Sequence, residues 1–410
     1  MRNAPTLASA RGTPKKTNYF LELIISQTFA FFTYLRSMKK NKKKKILFGA
    51  VDVNWRISSY TKYLQSIYGD KIEIHSFVKS RVPKDHYHTQ YTYSFDYQKL
   101  SKFNQWLISF YFFIVALFRY DILYFISGET LLTRKLMAWE LRWHKKLGKK
   151  IIMHFVGSDL RSEIYVQHKN AHIQEYLEGT LENMPPKQTE WQKKLCRLAM
   201  QYADLILVST PDLIEFFDTK EKVKYFPVML DLEDVENQIK HIMPEKYPQR
   251  DKIRIVHSPS NISLKGTDYI NAVMKKICAK NSEIEYINGA DPSYKNTTHR
   301  LCGLTRYSLF ELLQKSDILI DQIVIGWYGL QSIEAIYCQN EVIAWIEPEL
   351  RAYLPSDAPF YICEQSLEKS IMEAIENVKN GRRKSRREYV IRYHTLENSP
   401  FLEYIKAVLD

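Results

Sequence analysis

Lys265 and Gly266 stand where a short β-branched run, IRIVHS (253–258), passes through a polar loop into a helical pattern. Hydroxyls at Ser258 and Ser260, the Asn261 amide, free backbone N–H groups and a lysine at a helix start together suit a phosphate or diphosphate. The GxxxxGK[ST] spacing is absent, so this is no Walker loop. An ordinary strand–loop–helix joint is the competing reading. A second segment, SDILIDQIVIGWYGLQSIEAI (316–336), repeats the plan. Its strand ends at Asp321 and Gln322, and Tyr328, Gly329 and Leu330 open a helix. Gly329 lets backbone approach a ligand closely, and the first N–H groups of a helix lack intrahelical partners. Glu334, one to two turns in, lies in the apolar context IEAIYC, where a carboxylate can bond a ribose diol; a solvated helix glutamate is the plain alternative.

The first half of the chain offers looser candidates, each with a structural alternative. Gly49, Asp52 and Asn54 follow the first strand and border a ligand at the strand end, or else serve only the turn. Ser158 and Asp159 follow a later strand, with Arg161 close behind; they contact acceptor or cap the next helix. His154, within IIMHFV, is a cleft residue or a core histidine. The five cysteines are scattered without a C-x-x-C pair, which suits a reducing compartment, the cytoplasm, and no metal site.

These residues need strands to carry them. Short apolar runs at 46–51, 72–77, 121–127, 150–156, 204–209 and 223–228 alternate with helical stretches, the pattern of buried parallel strands joined by crossover helices. The alternation restarts at 253–258, 283–289, 317–322, 341–346 and 359–363. The expected architecture is α/β, two Rossmann-like doubly wound domains facing a central cleft. It divides into a leader (1–45), a first domain (46–231), a linker (232–251), a second domain (252–395) and a terminal helix (396–410) packing back on the first domain. Open α/β sheets bind ligands at their carboxyl edges, here a shared cleft.

Charge narrows the partners. The net charge is +13, but residues 1–45 hold 11 of the basic residues against one acid, Glu22, leaving 48 basic and 45 acidic beyond them. Six of those basics form one run, Lys379, Arg382, Arg383, Lys384, Arg386 and Arg387. No nucleic-acid partner is expected from so balanced a body. The apolar stretch 23–35, followed by lysines, is an interfacial helix beside a polybasic segment, or else native structure begins at Met38. A second uncharged run, 103–118, is short for a membrane span; it is a buried core helix or touches lipid.

KGTDYI followed by GWYGLQSIEA resembles the donor-binding domain of retaining GT-B glycosyltransferases of family 4. YDILYFISGETLL, KKIIMHFVGSDLR and YADLILVSTPDL resemble that family's amino-terminal domain, and the likeness covers roughly 45–395. The resemblance implies transfer from a nucleoside diphosphate sugar to a glycan or lipid-linked acceptor in surface polysaccharide synthesis, with retention, no cofactor and no essential metal. Lys265 would neutralise the leaving diphosphate, Gly329 and Leu330 amides would bond its oxygens, and Glu334 would hold the ribose. The chain departs from the family at Gly326, where the first of two glutamates stands, and at 259–261, where an arginine is usual. Ile126 and Val156 replace two histidines. Asp321 and Gln322 can stand in at the sugar, or the chain is a non-catalytic scaffold of an assembly complex. The charge and the 103–118 run imply peripheral contact with the inner face of the membrane.

Overall fold

The computed structural model describes residues 43–79, 91–169, 185–240, 251–289, 304–364 and 366–409, with the side chains of 167–169 outside it. The leader, up to residue 42, lies outside the described residues, as does 241–250 of the expected linker. Twelve described strands form two sheets. The first holds β1 (Lys44–Gly49), β2 (Ile72–Val78), β3 (Tyr93–Ser94), β4 (Ile122–Ile126), β5 (Lys150–Phe155), β6 (Leu205–Val208) and β7 (Val223–Tyr225) in the order 3-2-1-4-5-6-7. The second holds β8 (Ile253–His257), β9 (Ile284–Asn288), β10 (Ile318–Ile320), β11 (Glu341–Ala344) and β12 (Phe360–Ile362) in the order 12-11-10-8-9. Every pairing is parallel.

Helices cover both faces, which is why the central strands read as unbroken apolar runs: all five residues of β4 are buried. Chain direction reverses between β1 and β4 in the first sheet and between β8 and β10 in the second. At such switch points adjacent loops diverge and leave a crevice at the carboxyl edge. Both candidate loops of the second half, after β8 and after β10, leave from its switch point.

One stretch differs from expectation, and another falls between its two readings. Leu232–Lys240, read as linker, forms a helix whose Val235 is fully buried in the second sheet's core. Lys102–Arg119 buries Ser109, Phe112, Phe113, Ala116 and Leu117, yet its first turns leave Phe103 66% and Tyr111 63% exposed. No described helix is long and apolar enough to cross a membrane. The last helix, Phe401–Leu409, packs on the first sheet's core, Phe401 stacking with Phe226 at 5.5 Å and tilting against Tyr60 at 4.8 Å. In the basic run, Lys379, Arg382, Arg383 and Lys384 pair with Glu283, Glu376, Asp317 and Glu373, so this charge is largely spent within the fold.

Candidate active site

The carboxyl edges of the two sheets enclose a cleft of about 470 Å³. On the second-sheet side the loop after β8 turns through Asn261, whose side chain caps the short helix Ile262–Lys265 by accepting from the Leu264 N–H at 3.1 Å. This turn delivers Lys265 to the cleft wall. Gly266 ends it with φ +74°, and a Cβ there would come within 2.7 Å of Ile323. Glycine is therefore required twice, for its backbone and for the close passage of the next loop. His257 fixes the strand end beneath: its Nδ1–H donates to the Ile320 carbonyl at 2.8 Å, so Nε2 accepts from Thr267 at 2.9 Å. Burial pushes its pKa down to about 4, keeping it neutral.

Asp321 is 1% exposed and takes three donors. Lys265 forms a buried ion pair with it, Gly329 N–H donates at 3.2 Å, and the Ser332 hydroxyl donates at 2.6 Å. Burial raises its pKa, but the Lys265 charge and these hydrogen bonds outweigh that and hold it below the usual aspartate value. Asp321, expected at the sugar, is thus a counter-ion behind the cleft wall. Gln322 lines the cleft and donates to the Trp327 carbonyl, bracing the loop that carries Tyr328 and Gly329. Leu330 begins the helix Leu330–Tyr337, from which Glu334 reaches the cleft 2% exposed. Desolvation raises the Glu334 pKa against the pull of Arg306, which pairs with it.

The first-sheet side is built differently. Asp52, half-buried, accepts from Ile57 N–H at 3.1 Å and from the Tyr91 hydroxyl at 2.7 Å, so it ties down the start of the helix Arg56–Tyr68. Asp159 accepts from the Val156 and Gly157 N–H groups at 2.8 and 2.7 Å. Both are loop-holding residues whose polar atoms are used internally. Gly49 likewise stands behind the wall, where a Cβ would approach the Phe77 carbonyl to 3.0 Å. His154 lies wholly buried beneath the cleft, between the Tyr124 hydroxyl at 3.0 Å and Ser209 Oγ at 2.9 Å. Asn54 and Ser158 do line the cleft, as do Ser258, Ser260, Asn261, Lys265, Tyr328, Gly329 and Leu330.

Three lining residues had no signal strong enough to single them out. Arg306, second-sheet side, bonds Asp234 at 2.8 Å and Glu334, and its guanidinium sits 5.0 Å from the Trp55 ring of the first-sheet side. Trp55 and Asn54 both adopt φ near +57°, which turns the loop into the cleft. Arg56 follows directly, 4% exposed, with Nη1 donating to Ser209 Oγ at 2.7 Å. Among the described residues no cluster of three or more His, Cys, Asp or Glu side chains is placed to hold a metal.

No family model matches the chain, and no curated protein matches it in sequence. Solved structures do. A glycosyltransferase from Rickettsia africae superposes with a TM-score of 0.55 at 15% identity, over 90% of this chain and 100% of that one. The chain has the GT-B fold. Sucrose-phosphate synthase from Thermosynechococcus elongatus gives 0.53 at 12% identity, over 89% and 97%. The catalytic domain of starch synthase IV from Arabidopsis thaliana, solved with ADP and acarbose, gives 0.51 at 11%, over 90% and 100%.

Proposed function

We propose that the chain is a retaining, metal-independent glycosyltransferase similar to family 4. It moves a sugar from a nucleoside diphosphate sugar to a glycan or lipid-linked acceptor in surface polysaccharide synthesis. The observation that carries this reading is the convergence in one cleft of Lys265, the Gly329–Leu330 helix start and buried Glu334. Lys265 offsets charge developing on the leaving diphosphate, helix-start amides donate to its oxygens, and Glu334 holds the ribose with the oxygen that Arg306 leaves open. The bond from the anomeric carbon to the diphosphate oxygen breaks as the acceptor oxygen adds on the same face. The acceptor proton passes to the departing phosphate, so no side-chain nucleophile is required.

The test is a thermal-shift screen of the full chain against UDP, GDP, ADP and their sugars. A ligand at 100 times its dissociation constant stabilises by about 2.7 kcal/mol. A hit that Lys265→Ala removes supports the reading, whereas silence across all three nucleotides sinks it. One observation favours a second reading, a non-catalytic scaffold: Asp321 already engages both Lys265 and the Gly329 N–H. A chain that binds donor but releases no nucleoside diphosphate with lipid-linked acceptor fractions is that scaffold.

We propose a cytoplasmic location with peripheral contact at the inner face of the membrane. Phe103, Trp106 and Tyr111 form an exposed aromatic strip on Lys102–Arg119, with Lys99 and Lys102 at its start. Aromatic rings flanked by lysines suit the headgroup region of an anionic bilayer.

A further inference from the structure

Four cationic side chains line the cleft: Arg56, Arg161, Lys265 and Arg306. Three have their charge met by carboxylates. Lys265 pairs with Asp321, Arg306 with Glu334 and Asp234, and Arg161 with Asp212 at 2.5 Å. Arg56 is the exception among the described residues. Its one hydrogen bond is to a neutral hydroxyl, Ser209 Oγ, and its Nε is buried with no partner at all. Asp52, on its own loop, acts on it electrostatically but gives its hydrogen bonds to Ile57 N–H and the Tyr91 hydroxyl, not to the guanidinium. Glu163, the remaining acid on the cleft wall, is exposed and makes no ion pair with Arg56 among the described contacts.

A guanidinium that is 96% removed from water, with no carboxylate in hydrogen-bond contact, is unfavourable in the empty protein. Its position explains why it is tolerated. Arg56 opens the helix that follows β1, beside the β1–β4 switch point, and faces a cleft whose opposite wall carries a helix start at Leu330. Ser209 holds the guanidinium in place, and His154 and Tyr124 hold Ser209 in turn.

We infer that Arg56 is a diphosphate-binding residue supplied by the first-sheet domain. In the occupied cleft it donates to phosphoryl oxygens of the nucleoside diphosphate, so that the leaving group is gripped from both walls. This deepens the glycosyltransferase reading and rests on it. Lys265 shares its charge with Asp321, so Arg56 adds a second cation to the one that Lys265 brings to the diphosphate. A guanidinium also matches phosphate in a way an ammonium does not, through parallel N–H donors.

The experiment measures dissociation constants of inorganic pyrophosphate and of whichever of UDP, GDP and ADP shifts the full-length protein, for the wild type, Arg56→Met and Arg56→Lys. Unliganded melting temperatures are recorded alongside. Arg56→Met is expected to weaken nucleotide and pyrophosphate at least tenfold while leaving the corresponding nucleoside unchanged. Its unliganded melting temperature should hold or rise, since a buried charge with no hydrogen-bonded carboxylate is gone; Arg56→Lys should recover part of the affinity. Nucleotide and pyrophosphate affinities within twofold of wild type in Arg56→Met would overturn the assignment, whatever the melting temperature does. If the wild type binds no diphosphate, the glycosyltransferase reading itself fails, which is a separate result.

Discussion

The two walls of the cleft are made of similar parts and use them in opposite ways. Each has a strand-end histidine, an aspartate, a cation and a loop that starts a helix. On the second-sheet wall the aspartate, Asp321, turns outward to hold Lys265 and the Gly329 N–H just behind the ligand space. On the first-sheet wall the aspartates, Asp52 and Asp159, turn inward to their own loops, and the cation Arg56 is left without a hydrogen-bonded carboxylate. One wall is therefore assembled before ligand arrives, and the other is completed by it. Residue type alone does not decide which wall does chemistry; the direction of each polar side chain does.

The sharpest way to break this contrast is to remove the matched cation. Lys265→Ala strands Asp321 as a buried, unpaired carboxylate and is expected to cost about 3–5 kcal/mol of stability, read from urea unfolding. Adding Asp321→Asn should restore much of that loss. If Lys265→Ala unfolds no more readily than wild type, the second-sheet wall is not preassembled.

Acid titration separates the buried histidines from the ion pair. His257 and His394 are both pushed down to about 4 by burial, so the folded chain keeps them neutral while the unfolded chain protonates near 6.5. Stability is full above that value and falls as pH drops from about 6.5 to about 4, by about 3 kcal/mol for each histidine. Asp321 behaves as a depressed carboxylate: its contribution persists at neutral pH and is lost only at lower pH, as the folded group protonates. Two acid transitions in unfolding free energy against pH are expected, and His257→Gln should shrink the upper one alone.

Smaller effects sharpen the picture. Asn261→Ala removes the cap that presents Lys265 and should cost about 1 kcal/mol with a weaker nucleotide shift. Paired Phe103→Ser and Trp106→Ser substitutions touch no core and should change stability by less than about 0.5 kcal/mol. They should nevertheless reduce flotation with anionic phosphatidylglycerol vesicles; unchanged flotation would remove the lipid-facing role of that strip.

The strands were the most legible part of the sequence. Helix cover on both faces makes each central strand an apolar block, and blocks such as ILYFI leave little choice. Gly329, Lys265 and Glu334 were readable because glycine, lysine and an acid at a helix start carry positional meaning. Arg306 and Arg56 were not, since an arginine in the first turn of a helix ordinarily points to water. What turned them inward is tertiary: the Trp55 ring and two carboxylates around Arg306, and Ser209 from a distant strand end for Arg56. Asp52 and Asp159 were open between two uses because a strand-end aspartate caps a loop as readily as it meets a ligand. The short β3 escaped notice because a two-residue edge strand has no periodicity to detect.

The last helix returns to the first sheet, so the chain passes between the domains twice, and the two passages are stitched together. Leu230 N–H donates to the His394 carbonyl at 2.7 Å, and the His394 ring bonds the Val228 carbonyl at 2.8 Å. A single strand of chain would let one domain swing and twist freely against the other. Two crossings laced side by side tie the sheets together more tightly than one would. Residues 228–230 and 394 are therefore the place where the two crossings act as one connection.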